Sequence, residues 1–583
     1  MSLFGLALLT MAVLAAGYLG YGRFIARQYR LDDRAVTPAV AKADGVDFIP
    51  TRPFYLMGQH FSAIAAAGPI VGPIAACMAF GWLPCVLWIL IGVVFIGAVH
   101  DFSALVASVR HGAHSIAEIA KHHLGLGAFR ALVAFIWLAL LYVIVSFTDV
   151  TASTFLGRVE ELEDLASGGT LTFNAGGAVA ASSTLYLALA MVMGLVMRFL
   201  KPPLWLASII FVPATLAVVW AGTALSHLIV FDPAHERTIF YTLILVYCFA
   251  ASLLPVWILQ QPRGFLGGFV LYLAIAVGVV GMIAGGFDIQ QPMLADNVAR
   301  SGTGLWDAMV GSPDAPPLSA LLFPFLFVTI ACGACSGFHG LVCGGTTSKQ
   351  IERESHCTPV GFGCMLLEGF VAIIALATVV IVAPADAAGK PPPVIYGEGI
   401  ARFVTIILGP EWLLFAKTFG TMAVATFVFD TLDVATRLGR YLIQELLGSR
   451  RRAVAWAASL ATVLIPLLIL LSSDPGAWRT FWTMFGTANQ LLAALTLLGI
   501  TVWLRRHGKR SWYTLYPMLF VMLITLTALT LQVLDGLRLV AARGLVYDPK
   551  VLNAAVGSVL LALALFFIVQ ALRSSRLHTR TPA

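Results

Sequence analysis

Long apolar runs alternate with short polar breaks along the whole chain. They fall at about residues 2–22, 59–81, 83–109, 129–156, 180–199, 203–222, 239–258, 265–287, 319–344, 359–383, 412–434, 454–472, 480–503, 512–534 and 551–572. Each is close to the roughly 20 residues that an α-helix needs to cross about 30 Å of hydrocarbon. Backbone polar groups in lipid must be satisfied within their own segment, so runs of this length predict α-helices rather than a barrel of roughly ten-residue strands. The pattern therefore predicts an all-α integral membrane protein of about 15 transmembrane helices. No Lys or Arg precedes the first run before Arg23, so that run lacks the basic start of a secretory signal and is expected to remain as a helix.

Two runs depart from uniform helix character. The second holds "HFSAIAAAGPIVGPIAA" (60–76), with Gly68-Pro69 and Gly72-Pro73 near its middle. The ninth holds "IACGACSGFHGLVCGGTTSK" (330–349), with five glycines, four hydroxyl residues, three cysteines and a histidine. Proline removes an amide donor and clashes with the preceding turn, and glycine gives up backbone restraint, so both runs are predicted to unwind or kink. Their parity differs, so they cross the membrane in opposite directions, as equivalent helices of an inverted repeat must. Paired broken helices point to a secondary-transporter binding site. The bland reading is close helix packing through Gly333/Gly337 and Gly340/Gly344; Ser336, His339, Thr346 and Thr347, together with the Gly-Pro partner run, tip the balance toward a site.

Composition and charge sharpen this picture. The 583 residues are 59% hydrophobic and 11% charged, with a mean hydropathy of +0.90, more apolar surface than a water-soluble fold buries. With the N-terminus outside, 26 of the 36 basic residues fall in one set of loops, among them Arg23, Arg110, Arg263, Lys349, Arg353, Arg505 and Arg573. Nine fall in the other set (Arg158, Arg237, Arg300, Lys390, Arg402, Arg479, Arg538, Arg543 and Lys550), and Lys417 lies inside a run. Cytoplasmic loops are the ones enriched in Lys and Arg. The bias gives an outside N-terminus, a cytoplasmic C-terminus and an odd number of helices. The net charge of +7 thus describes membrane orientation, and nothing points to nucleic acid. The longest polar breaks are 23–58 inside and 288–318 and 384–411 outside; "KPPPV" (390–394) reads as a stiff surface turn.

Ionisable residues inside the runs are functional candidates by default, because each costs roughly 2.5–3.5 kcal/mol at a helix centre. His100, Asp101, Asp149, Glu368, Asp430 and Asp433 form this set, with His60 and His339 beside it. Asp101 and Glu368 lie deep enough to couple a cation. Asp433 and Arg437, spaced i, i+4, read as a local ion pair or gate. Cys332, Cys335, His339 and Cys343 could line one helical face; buried thiols are commonly small hydrophobes, however, and one straight helix rarely wraps four ligands around an ion. No metal site and no cofactor is expected.

The runs "GPIVGPIAACMAFGWLPCVLWILIGVVFIGAVHDFSALVASVR" (68–110), "CGACSGFHGLVCGGTTSK" (332–349), "TLDVATRLGRYLIQE" (431–445) and "FGTANQLLAALTL" (485–497) resemble the carbon starvation protein A family of bacterial peptide and pyruvate transporters. The resemblance covers roughly residues 50–500. It implies an inner-membrane secondary carrier with a LeuT-like inverted-repeat core, importing pyruvate or short peptides. It also implies that residues 1–385 and 386–583 form the two regions of one membrane unit. Carried over by position, Gly68, Pro69, Gly72, Pro73, His100, Asp101, Ser336, Gly337, Phe338, His339, Asp430, Asp433, Asn489 and Gln490 fall on the family's motifs. Two departures stand out: Gly264-Phe265 after Pro-Arg, where an acid and a tyrosine are expected, and Cys335 and Cys343 at aliphatic or small positions.

The mechanism expected from these residues is symport. Amides around Gly68–Gly72 and Gly333–Gly340 would hold a carboxylate at the bilayer midplane. His100, Asp101, Glu368 or Asp430 would carry a coupling proton, and sodium held by unwound carbonyls is the competing version. Asn489 and Gln490 either bind substrate or bond across helices. A nutrient sensor built on the same fold is the alternative to a carrier. An intramembrane enzyme is disfavoured, since the chain lacks HExxH, a GxGD aspartyl motif or a serine nucleophile beside an oxyanion turn.

Overall fold

The structure, a computed structural model, describes residues 2–44, 48–157, 159–163, 170–255, 257–296, 298, 304–312, 315–449, 451–474 and 478–578. Uninterrupted helices long and apolar enough to span a membrane number thirteen among the described residues. The first half contributes α1 (Leu3–Tyr29), the bent pair α2 (Pro53–Ile64) and α3 (Gly68–Phe80), α4 (Trp82–Arg110), α5 (Leu126–Phe155), α6 (Ala175–Phe199), α7 (Leu204–Ala224), α8 (Glu236–Leu253) and α9 (Gln260–Ala284). Then come two short helices, α10 (Leu322–Thr329) and α11 (Gly337–Gly345). The second half adds α12 (Glu354–Val380), α13 (Pro392–Leu408), α14 (Pro410–Leu446), α15 (Arg452–Leu471), α16 (Trp478–Arg506), α17 (Trp512–Arg543) and α18 (Pro549–Ser574).

Three departures from the sequence pattern have physical causes. Counting the bent α2/α3 pair as one span gives fourteen; the ninth apolar run falls outside this count because residues 330–336 divide it into pieces too short to cross alone. The stretch 384–411, expected as a loop, contains α13. Its prolines begin the helix, where a missing N–H is an orphan in any case, and Ile395, Tyr396, Ile400, Phe403 and Val404 form the buried stripe facing α9 and α14. Finally, an antiparallel hairpin, β1 (Val159–Glu163) and β2 (Thr170–Asn174), joins α5 to α6.

The preceding residue's side chain caps three helix starts among the described residues. Ser2 Oγ accepts from Gly5 N at 3.2 Å, Ser115 Oγ from Glu118 N at 3.2 Å, and Asn174 Oδ1 from Gly177 N at 2.9 Å. The helix α16 lies at the centre, with nearly all its residues from Phe481 to Leu504 buried against α5, α11, α17 and α18. The loops segregate into two groups. On one face Arg110 binds Glu354 at 2.8 Å, Lys42 Nζ donates to Gly112 O at 3.0 Å, and Ser574 Oγ donates to His123 O at 2.8 Å. On the other, Gln290 N donates to Val380 O at 2.7 Å, Arg538 Nη1 to Ala308 O at 2.6 Å, and Asn553 Nδ2 to Thr480 O at 3.0 Å. Each group matches one of the two loop sets into which the hydropathy pattern divides the chain.

Candidate functional site

The second run breaks at Ala65–Ala67 rather than at its Gly-Pro pairs, which form the first turns of α3, and those turns lie against the interruption of the ninth run. A Cβ added to Gly72 would stand 2.6 Å from the carbonyl oxygen of Thr329, and one added to Gly68 only 2.2 Å from Cys332 Cβ. No side chain fits either place without displacing the facing break. Pro69 occupies the first turn of α3, while Pro73 sits inside it and removes one backbone bond. Gly333 faces the Cα of Pro69 from the other side.

Unwinding at 330–336 exposes backbone groups, and side chains from neighbouring helices take them up. Trp88 Nε1 donates to Ile330 O at 3.3 Å, Trp482 Nε1 to Thr329 O at 3.2 Å, and Gln490 Nε2 to Phe327 O at 3.0 Å. Asn489 Oδ1 accepts from Phe338 N at 2.9 Å, capping the first turn of α11 from a different helix. Asn489 Nδ2 also donates to Ser336 Oγ at 3.0 Å. Gly337 gives α11 room to press on the backbone of Asn489. In this conformation Asn489 and Gln490 therefore bond across helices to the break itself.

Behind the break lies a fully buried polar chain. His100 Nδ1 is 2.7 Å from Asp101 Oδ1, His339 Nδ1 is 2.8 Å from Asp101 Oδ2, and His339 Nε2 is 3.1 Å from Glu368 Oε2. All four side chains have zero exposure. The last contact has ion-pair distance without hydrogen-bond alignment, so Glu368 keeps both oxygens open to another partner. An ionised Asp101 only accepts, so each imidazole gives it an Nδ1–H. His339 Nε2 then meets Glu368 favourably only when a proton resides on one of the two. One further histidine, His60 at the end of α2, pairs with Thr347 Oγ1 at 2.9 Å just beyond α11. The Nε2 atoms of His60 and His100 have no protein partner among the described residues.

A second buried centre lies between α8, α9 and α14. Arg263 forms an ion pair with Asp433, and Tyr247 Oη donates to the same carboxylate at 2.7 Å. The expected Asp433–Arg437 pair is thus corrected. Arg437 instead donates to the carbonyls of Ala251 and Leu254 at 2.8 and 2.7 Å, holding the unwound end of α8. Asp430 lies beside Arg263 and Ser62, away from the His339 chain, so the coupling candidates divide between two places. Asp149 binds Arg237 at 2.8 Å and Tyr241 at 2.5 Å. By sequence Arg263 reads as a loop cation because it opens an apolar run; the signal that points to it is Asp433, a membrane carboxylate needing a counter-charge.

The cysteines point to different neighbours. Asn489 Nδ2 donates to Cys332 Sγ at 3.2 Å, and Cys343 Sγ lies 3.6 Å from Asp101 O. Among the described residues, no three His, Cys, Asp or Glu side chains are arranged to hold a metal ion.

Known proteins match this chain along most of its length. The peptide transporter CstA of Campylobacter jejuni is 32% identical, the match covering 89% of this chain and 79% of that protein. The pyruvate/proton symporter BtsT of Escherichia coli is 30% identical over 90% of this chain and 80% of its own length. Solved structures that align are a mutant manganese transporter of Eremococcus coleocola (12% identity, TM-score 0.47, 91% of this chain and 99% of that one) and MhsT in complex with L-phenylalanine (14%, 0.44, 88% and 98%). The family described as carbon starvation protein CstA matches residues 3–398 and 386–528. With relatives of 30–32% identity along nearly all its length, the chain belongs to the carbon starvation protein CstA family and is a multi-pass membrane transporter rather than an enzyme.

Proposed function

We propose that this transporter imports a small carboxylate-bearing nutrient, pyruvate or a short peptide, together with a proton across a bacterial inner membrane. The loop charges support an outside N-terminus and a cytoplasmic C-terminus. The carrying observation is the buried His100–Asp101–His339–Glu368 chain, which links α4, α11 and α12 directly behind the interrupted ninth run. An anion moving inward works against an inside-negative potential at about 2.3 kcal/mol per charge per 100 mV. A co-transported proton offsets that charge.

His339 occupies the joint. It rides on the half-helix α11, whose N-terminus faces the break, and its ring touches one carboxylate on each side. When substrate engages the break and α11 shifts, His339 moves relative to Asp101 and Glu368, and a proton held on His339 or Glu368 gains or loses its counter-charge. Proton occupancy and the position of α11 are coupled by this contact. A peptide transporter and a pyruvate/proton symporter among the relatives support both substrate classes and, in the second, proton coupling.

The test is uptake into proteoliposomes, offering labelled pyruvate or a tripeptide under separately imposed proton and sodium gradients. Concentrative uptake driven by protons alone supports the reading. Driving by sodium alone replaces the coupling ion, and binding without concentrative uptake points to a sensor.

A further inference from the structure

A cleft of about 620 Å³ opens on the face bearing the 288–318 and 384–411 segments and extends inward to Thr329 and Trp482 at the interruption. Its volume falls in the range of roughly 300–1,000 Å³ seen for drug-sized ligands, far larger than a three-carbon acid needs. Four of the nine basic residues in this sparsely charged loop set, Lys390, Arg479, Arg538 and Lys550, line it against a single acid among the described residues, Asp535. Three of them are engaged. Lys390 binds Glu398 at 2.8 Å, Lys550 binds Asp535 at 3.1 Å, and Arg538 donates to Ala308 O and Met309 O. Arg479 stacks on Trp478 and has no ion-pair partner among the described residues.

Deeper in the cleft are two amides whose orientation is fixed by carbonyls. Gln532 Nε2 donates to Ala528 O and to Thr487 Oγ1, and Asn553 Nδ2 donates to Thr480 O. Their carboxamide oxygens are thereby left as acceptors, buried and without a partner among the described residues, on side chains only 7% and 3% exposed. Buried acceptors cost free energy until a donor reaches them. Arg479 and Thr487, the anchor of Gln532, lie eight residues apart on α16, about 12 Å along its axis. An extended tripeptide spans about 10 Å, and its termini carry opposite charges.

We propose that this cleft is an outer reception site for the tripeptide zwitterion, reaching from the loop face inward to the interruption of the ninth run. The carboxylate meets Arg479, a backbone N–H meets Asn553 Oδ1, and the ammonium meets Gln532 Oε1. Trp478, Trp482, Phe80 and Phe325 offer apolar surface to the peptide side chains. The assignment rests on the import reading and the orientation given above, and it selects peptides over pyruvate as the ligand held here.

The experiment is equilibrium binding of labelled trialanine to the purified full-length protein in detergent, with no ion gradient. Arg479→Gln is expected to weaken trialanine about tenfold while changing the C-terminally amidated peptide less than twofold. Gln532→Met is expected to weaken trialanine about tenfold while changing the N-acetylated peptide less than twofold. Pyruvate binding is expected to stay within twofold in both. Equal losses for blocked and free peptides, a parallel loss of pyruvate, or no trialanine binding by the unaltered protein overturns the proposal and leaves the cleft as a solvated entrance. Arg479 is exposed, so its variant decides the matter if Gln532→Met does not fold. Because binding is read without a gradient, failure of proton-driven uptake would reject symport and leave this result standing.

Discussion

His339 Nδ1 stands 2.8 Å from Asp101 Oδ2, joining a half-helix at the interrupted ninth run to the middle of an unbroken one. The same ring turns its other nitrogen to Glu368. One imidazole thus stands between two carboxylates that sequence alone marks only as separate membrane acids.

If that bridge carries the coupled proton, Asp101→Asn abolishes gradient-driven uptake in proteoliposomes while sparing substrate exchange. Glu368→Gln gives a similar split with a smaller loss. Unchanged driven uptake in both variants rejects the assignment.

The contact between the first turns of α3 and the ninth run's break predicts a severe effect from one methyl group. Gly72→Ala brings a Cβ to 2.6 Å from Thr329 O, and backbone cannot yield as a flexible side chain does. Overpacking of this kind costs about 1–3 kcal/mol. The expected result is a lowered unfolding midpoint and at least tenfold slower uptake; wild-type values for both would show that the two do not touch.

The Arg263–Asp433 pair is fully buried, so removing one partner strands the other. Arg263→Ala is expected to destabilise by about 3–5 kcal/mol, read as loss of folded protein in a detergent-stability assay. The double variant Arg263→Met with Asp433→Leu is expected to recover most of that loss. Recovery of fold without transport would assign the pair to function; recovery of both would assign it to packing.

On the face that holds the chain's C-terminal contacts, burial, then the neighbouring His111 and Arg506, push His123 down to about 4. Its Nε2 lies 3.0 Å from His111 Nε2, and its carbonyl accepts from Ser574. An unfolded histidine titrates near 6.5. Between about pH 4 and 6.5 the unfolded chain therefore binds more protons than the folded one, and stability falls as pH falls through that window. Protection factors of the amides in residues 111–124, with the pH dependence of intrinsic exchange divided out, are expected to fall between pH 7 and 5, and a flat profile contradicts it.

The spans were legible because lipid demands long apolar helices, and the ninth run's interruption because its glycines weaken a helix; in the second run Gly68 and Pro69 mark the start of α3, directly after a break made of Ala65–Ala67. Partnerships were less legible. Asp433 and Arg437 have helix spacing, yet Asp433 turns to Arg263 because a guanidinium on α9 reaches it with Tyr247 in support. Arg263 itself read as a loop cation, since periodicity marks where a run begins and not which helix covers it. The sequence leaves Asn489 two roles, because only the fold brings α11's first turn beneath its side chain. The sequence conceals α13 because its polar residues dilute its hydropathy.

The order in which the ninth run gains its partners has a consequence for synthesis. Trp88 precedes Ile330 by 242 residues, but the indole that binds the Thr329 carbonyl follows it by 153. At roughly 5–20 residues per second, the ribosome leaves that carbonyl without its partner for about 8–30 s. A nascent chain stopped short of Trp482 therefore presents an open turn within the bilayer, and membrane proteases would meet it there before the transporter is complete.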